Sequence, residues 1–293
     1  MRRTSDGRAD RETFLSRYGP WAVVTGGAEG MGAAFAEELA GCGSSLCLVD
    51  RQADKLAATA KRLENEYGVS VRTVSGDLSV PDTVEALFRE TQALDVGMVV
   101  SCAAFGQVGP FLDADESDLL RAVDVNVRVP LRLAHHYGRS LKARGRGGMV
   151  LLASDAAYHG SPFCANYAAT KSFSLVLGES LWYELRSAGV DVMSFVPGPT
   201  NTPGFRRASP KLKEGQRVPG VMLPSEVAAA AIESLGAGPS ALPNRRLAAE
   251  TFFATRVLDR KRAVTRMGDR LSVALRPTDG RNATPRAKDE ENR

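Results

Sequence analysis

The chain has 293 residues, 43% hydrophobic and 25% charged, with a net charge of +4. That is an ordinary globular profile, and without an arginine-rich stripe and interleaved aromatics it gives no reason to expect a nucleic-acid partner. Cys42, Cys47, Cys102 and Cys164 form no Cys-x-x-Cys pair and the three histidines complete no ligand spacing, so no metal is expected and the cysteines read as free thiols. Residues 1–17 are polar and basic; they read as a disordered arm and lack the apolar run of a signal peptide. The longest uncharged stretch, Val96 to Leu112, is broken by three glycines and a proline, so no membrane span and a cytoplasmic location are expected.

From Trp21 onward, short apolar runs alternate with helical patterns. Strands are expected at Trp21–Thr25, Ser45–Val49, Val69–Val74, Val96–Val100, Gly148–Ala153 and Val190–Val196. Helices are expected at Met31–Ala40, Gln52–Tyr67, Pro81–Thr91, Asp113–Gly138 and Ala165–Arg186. Near-continuous apolar strands separated by helices predict a doubly wound, Rossmann-like α/β fold. Its parallel sheet, of about seven strands, has helices on both faces, and residues 18–276 form one domain. Residues 199–224 are rich in proline, glycine and basic residues, show no clear element, and read as a substrate loop. A helix with Ser225 as its N-cap follows to Leu235. Residues 245–276, with nine Lys/Arg against three Asp/Glu, read as a basic helical extension with Phe253, Val257, Val264, Met267 and Leu271 near one face, packed on the body or on a second subunit. Residues 277–293 read as a disordered tail.

Two local patterns carry chemistry. After the first strand comes Thr25-Gly26-Gly27-Ala28-Glu29-Gly30-Met31-Gly32, opening the first helix of the alternation. Glycines let backbone approach a ligand, and a helix N-terminus presents unpaired N–H groups to a pyrophosphate. Asp50 closes the next strand, where a carboxylate can hydrogen-bond ribose hydroxyls. Farther on, Tyr167 and Lys171 stand at i and i+4 on one helix face, with Ser154 at the end of the preceding apolar run. A cation beside a phenol favours the phenolate and lowers the tyrosine pKa.

In this order and spacing the motifs resemble the short-chain dehydrogenase/reductase family, of the simple single-domain type. The resemblance rests on Thr25-Gly26-x-x-x-Gly30-x-Gly32, Asp77, Asn126, Ser154, Tyr167-x-x-x-Lys171, Pro197-Gly198 and Thr202, and spans about residues 18–235. It implies that Gly26, Gly30, Met31 and Gly32 bind dinucleotide phosphates, and that Asp77 and Leu78 hold the adenine. Ala103, Pro197, Gly198, Thr200 and Thr202 then line the nicotinamide end. Tyr167 becomes the general acid/base, with Lys171 on the nicotinamide ribose depressing its pKa. Ser154 orients the substrate oxygen, and Asn126 holds a relay water. The family's Asn-Asn-Ala-Gly is Ser101-Cys102-Ala103-Ala104 here, and Asp155 follows the serine.

Asp50 and Glu29 together would repel a 2′-phosphate, which favours NAD(H); Arg51 could instead meet that phosphate, so NADP(H) is the alternative. Phe105, Gln107, Tyr158, His159 and Phe163, with Asp155, are expected to wall the substrate, and their apolar character suits a hydrophobic ketone or secondary alcohol. An epimerase or dehydratase on the same scaffold, and a non-catalytic NAD-binding sensor, are the competing readings. The family likeness implies a homodimer or homotetramer through the helices that carry Asn126 and Tyr167.

Overall fold

The computed structural model describes residues 11–208 and 213–275. The expected tail at 277–293 lies outside them. The chain opens with α1 (Arg11–Tyr18), then β1 (Trp21–Thr25), α2 (Gly30–Gly41), β2 (Ser45–Asp50), α3 (Ala53–Tyr67), β3 (Val71–Ser75), α4 (Pro81–Thr91) and β4 (Val96–Ser101). A 3-10 turn at Phe111–Asp113 leads to α5 (Glu116–Val123), a π turn (Asp124–Arg128), α6 (Val129–Arg144), β5 (Gly147–Leu152), α7 (Ala165–Leu185) and β6 (Val190–Phe195). The short α8 (Pro203–Ala208), α9 (Pro224–Ser234), β7 (Ser240–Ala241), α10 (Arg245–Phe252) and α11 (Arg260–Leu275) complete the described chain.

The seven strands form one parallel sheet in the order β3-β2-β1-β4-β5-β6-β7. Alternation within each strand feeds two cores. Ala22, Val24, Leu46 and Leu48 pack on one side with Phe35, Leu39 and Ile232 from α2 and α9. Val23, Cys47, Val49 and Val99 pack on the other with Leu87, Leu133, Tyr137 and Leu185 from α4, α6 and α7. Both faces are covered, which is why the central strands read as unbroken apolar runs.

Four expectations about elements change. Residues 1–17 do not form an arm throughout, because α1 docks from Arg11. Phe14 and Tyr18 are buried, and the Tyr18 hydroxyl donates to Asp191 Oδ2 at 2.6 Å. Truncating a buried phenylalanine typically costs about 3–5 kcal/mol, enough to hold a polar segment of this length in place. The single helix expected over Asp113–Gly138 is three pieces, and its last piece runs on to Arg144, where Gly145 takes a left-handed φ of 71°. The helix expected from Ser225 starts at Pro224, with Leu223 rather than Ser225 as N-cap. Glu226 at its third position accepts from the Leu223 N–H at 2.9 Å. The 245–276 extension is not one helix. It breaks at Leu258, and Asp259 starts α11 by accepting from the Arg262 N–H at 2.9 Å. Phe253 and Val257 therefore lie exposed at the elbow, while Ala263 is buried.

Candidate active site

Strand order reverses between β1 and β4, and in open α/β sheets a ligand site lies where such a reversal meets the carboxyl ends of the strands. Here the two strand ends are tied together. Thr25 Oγ1 accepts from the Cys102 and Ala103 N–H groups at 3.0 and 3.1 Å. The Gly26 and Gly27 N–H groups donate to Val49 O at 2.8 and 3.1 Å, so the loop folds back onto β2. Gly26 has φ 75°, and a Cβ there would stand 3.1 Å from the Ala103 backbone. A Cβ at Gly32 would stand 2.0 Å from Gly26 O, so only glycine lets α2 start this close to the loop.

The α2 N-terminus has no side-chain cap, which leaves its first N–H groups open beside Gly30 and Thr202. This is a fit for the pyrophosphate of a dinucleotide. Asp50 is buried, accepting from the Ala28 N–H at 3.2 Å and the Gln52 N–H at 3.0 Å. Arg51 beside it is exposed. Asp77 pairs with Arg121 and accepts from both the Ser79 N–H and hydroxyl; these outweigh burial and hold its pKa below the ordinary carboxylate value. Leu78 next to it is buried.

Glu29 answers differently from the charge reading. Burial alone would raise its pKa, but hydrogen bonds from Lys55 and Gln52 and the charges of Lys55 and Arg207 win and lower it. Its carboxylate is paired with Lys55 Nζ at 2.5 Å. A paired carboxylate repels a phosphate far less than a bare one, so Glu29 does not act as the second repelling charge beside Asp50.

Across the cleft, α7 carries Tyr167 and Lys171 and β5 delivers Ser154. Lys171 is 3% exposed, with Nζ donating to Leu152 O at 2.8 Å and standing 5.8 Å from the Tyr167 ring centroid. Burial lowers its pKa to about 8. Burial likewise pushes the Tyr167 phenol up to about 12, against a hydrogen bond with Ser154 that lowers it. In the protein by itself desolvation thus outweighs any lowering of the tyrosine pKa by Lys171. Desolvation acts on both groups, and the ammonium is directed at a backbone carbonyl.

Asn126 is 2% exposed and fully engaged. It accepts from the Phe105 N–H at 2.8 Å and donates to Phe105 O at 2.7 Å and to Thr170 Oγ1 at 3.0 Å. Its side chain therefore fixes the loop after β4 onto α7. Its backbone lies in the π turn, a feature found often at functional sites.

Among the expected wall residues, Phe105 lies under the Arg121 guanidinium at 5.1 Å, and a Cβ on the next residue, Gly106, would stand 2.6 Å from the Tyr167 ring. Asp155 is half-buried beside Ser154, which donates to it at 3.1 Å. Phe163 has φ 64°, a strained setting for a bulky residue, and its carbonyl accepts from the Gly109 N–H at 2.7 Å, joining the two wall loops. Gln107 is instead exposed and bonded to Asp118 Oδ2 at 2.5 Å. His159 lines a separate cleft of about 410 Å³ with Ala165, Ala169, Arg260 and Val264, toward the opposite side of α7 from Tyr167.

The described residues of the 199–224 loop make more contacts than its composition implies. Pro197 O accepts from the Asp155 N–H at 3.0 Å, and Thr200 pairs with Met222. Thr202 Oγ1 accepts from the Phe205 N–H at 3.1 Å, opening α8. Buried Asn201, which sequence reasoning missed, donates to Lys213 O and Gln216 O at 2.8 and 3.0 Å. Leu247 of α10, also missed, lies where a Cβ on Gly198 would meet it at 3.3 Å. No local pattern marks Asn201. Leu247 carries a weak signal as the apolar residue at the start of the extension.

Buried Lys171, Ser154 and Asn126 with half-buried Tyr167, on a parallel sheet whose switch point carries an uncapped glycine-loop helix, are the arrangement expected of a dinucleotide-dependent oxidoreductase. Residues 20–213 match the family model described as short chain dehydrogenase. A 7beta-hydroxysteroid dehydrogenase of Clostridium sardiniense is 34% identical over 223 residues, covering 76% of this chain and 85% of that one. Another, of Collinsella aerofaciens, is 32% identical over 231 residues, covering 78% and 88%. A structure solved to explain 7beta-hydroxysteroid dehydrogenase stereoselectivity superposes with a TM-score of 0.81 at 29% identity, covering 87% of this chain and 98% of that one. A short-chain dehydrogenase of Sphingobium yanoikuyae in complex with NADPH superposes at 0.72, with 27% identity and 90% and 99% coverage. The chain belongs to the short-chain dehydrogenase/reductase family, and it is an NAD(P)-dependent oxidoreductase acting on an alcohol/ketone pair. Among the described residues no helix is long and apolar enough to cross a membrane.

Proposed function

We propose that this enzyme interconverts a bulky, hydrophobic secondary alcohol and its ketone, of steroid size, with Tyr167 as general acid/base and NAD(H) as the preferred cofactor. The observation that carries the reading is the meeting of Tyr167, Ser154 and Lys171 across from the open α2 N-terminus. When bound, the nicotinamide supplies or accepts the hydride. In reduction the Tyr167 hydroxyl gives its proton to the substrate oxygen as the hydride reaches the carbonyl carbon, and in oxidation the phenolate takes it back. Ser154 and Tyr167 stand beside the oxygen where charge develops. Lys171, with a pKa lowered to about 8, exchanges protons near neutrality, and the backbone at Asn126 provides the way out through a held water.

Phe105, Tyr158, Phe163 and Leu247 support an apolar substrate, and the similarity to 7beta-hydroxysteroid dehydrogenases supports a polycyclic one. Buried Asp50, with no cation paired to it among the described residues, supports NAD(H). Exposed Leu120, Val123, Leu131, Val176 and Tyr183 on α5, α6 and α7 support self-association through those helices. The test is NADH absorbance with a 7-oxosteroid, a 7-hydroxysteroid and a small aliphatic ketone. Turnover of the steroid pair above the small ketone is expected, with loss in Tyr167→Phe while NADH still binds. Full activity in Tyr167→Phe refutes the assignment.

A further inference from the structure

Along α10 and into the turn that follows it, Leu247, Thr251, Ala254 and Leu258 recur at helical spacing, and all four are half-buried. Phe252, Phe253 and Val257 fall outside that stripe and are 63%, 41% and 59% exposed. Val257 lies four and five residues after the two phenylalanines, in a π turn over Phe253–Val257, so the three side chains group on the outer side of the elbow. A contiguous apolar group rimmed by charge marks an interaction surface, where a single exposed residue would not.

The rim is cationic. From residue 245 to 269 seven arginines and lysines stand against three carboxylates. Arg246 is paired with Glu250 at 3.0 Å and Arg262 with Asp259 at 3.2 Å. Arg245, Arg256, Arg260, Lys261 and Arg266 are exposed and form no ion pair among the described residues. The Arg266 guanidinium stands 5.5 Å from the centroid of the Phe253 ring, which joins the outer side of α11 to the elbow in one surface. The two ends of the sequence offer this surface no complement. Residues 1–10 and 276–293 have one large apolar side chain between them, Met1, and each segment has one more basic than acidic residue. A second copy docked by the same face across a two-fold axis would set the cations against themselves.

We propose that the elbow between α10 and α11 docks on an anionic lipid surface. Phe252, Phe253 and Val257 enter the boundary between headgroups and acyl chains, and Arg256 and Arg266 beside them meet lipid phosphates, their aliphatic stems lying along the apolar side chains. The remaining cations add to the attraction at longer range. Aromatic and aliphatic side chains at the centre of a basic surface fit a bilayer better than a soluble polyanion, which would be met by the cations alone. The protein then lies on the membrane without crossing it, whichever alcohol or ketone it acts on.

The full chain is sedimented with vesicles of phosphatidylcholine alone and with vesicles containing about 30% phosphatidylglycerol, at low salt. Binding to the anionic vesicles is expected to exceed binding to the neutral ones at least about tenfold. Phe252→Ser with Phe253→Ser should lower it at least about tenfold, and Arg256→Glu with Arg266→Glu should do the same. NADH fluorescence reports folding in each variant, and either pair carries the comparison if the other fails to fold. Wild type left in the supernatant with anionic vesicles overturns the proposal, as does equal binding to both compositions. Undiminished binding by the folded phenylalanine variant overturns it too, because charge alone then holds the protein. Light scattering without lipid that shows wild type as an oligomer and the phenylalanine variant as a monomer assigns the elbow to a second copy instead.

Discussion

Asn126 and Pro130 stand one α-helical hydrogen bond apart, and the proline has no hydrogen to complete it. The chain answers with a π turn over Asp124–Arg128, and the Ser174 hydroxyl donates a long hydrogen bond to the Asn126 carbonyl at 3.5 Å. A carbonyl denied its regular donor keeps acceptor capacity, which is what holding a relay water requires. Pro130→Ala supplies the missing N–H. The variant is expected to keep or raise its thermal midpoint while kcat/KM falls about tenfold, because the carbonyl's second lone pair, beside the long bond from Ser174, is then taken. Unchanged kcat/KM in a stable Pro130→Ala enzyme removes the proline from the mechanism.

Lys171 is a buried cation whose pKa burial lowers from 10.5 to about 8. A base with a depressed folded pKa costs stability wherever it must stay charged. Below about pH 8 both states hold the proton and the full cost applies. From pH 8 to 10.5 the unfolded chain still holds it while the folded one has released it, so stability contributed by this group rises with pH. Lys171→Met should therefore stabilise the fold at pH 7, on the order of 1–3 kcal/mol, offset in part by the donor lost at Leu152 O. The gain should shrink as pH climbs toward 10.5, and activity should be lost throughout. Tyr167, raised to about 12, makes stability fall only above pH 10 and leaves the lower window clean. Denaturant melts of both proteins at pH 7 and pH 9.5 check this, and a gain that grows with pH contradicts the sign.

Much of this site was legible in the chain because its parts are local. The glycine run needs strand, turn and helix in immediate succession, and Tyr167 and Lys171 need only one helix face. Asp50 is placed by the end of its own strand. Pairings made across space were not legible. Lys55 reaches Glu29 from the next helix and reverses what that carboxylate does, and Arg121 reaches Asp77 from α5. The tyrosine pKa is set by desolvation, which no spacing records. Composition misled in two places. Residues 11–17 are polar apart from two apolar positions, yet Phe14 with the following Tyr18 anchors them. The 199–224 loop reads as irregular, yet Asn201 ties its described parts together, accepting from Arg206 and donating to Lys213 O and Gln216 O across the loop.

Glu29 and Lys55 make cofactor choice adjustable by one substitution. Glu29→Gln removes the charge that occupies the Lys55 ammonium, 58% exposed and close to the adenosine end. The expected result is a several-fold rise in kcat/KM for NADP(H) with NAD(H) little changed, since a freed cation gains from a phosphate but not from a hydroxyl pair. Asp50→Asn should act on the other side and lower kcat/KM for NAD(H) about tenfold. Side-by-side assays with both cofactors measure the ratio. NADP(H) already preferred by wild type would overturn the NAD(H) proposal.

The last helix, α11, packs against the loop that carries Phe163 and away from the glycine loop. A Cβ on Gly160 would meet Val264 of α11 at 3.3 Å, and one on Gly268 would meet Pro162 at 3.1 Å, so α11 backs the loop that carries Phe163. Val264 is half-buried there. Val264→Asp places an unpaired carboxylate against that loop, where desolvation costs about 2 kcal/mol or more unless the loop lifts away. The expected outcome is a KM for ketone raised at least about fivefold, with the NADH dissociation constant unchanged, because the glycine loop and Asp50 lie on the other half of the sheet. Parallel steady-state kinetics and NADH fluorescence titration separate the two effects. An equal loss of NADH affinity would mean that α11 supports the whole domain and has no particular bearing on the substrate wall.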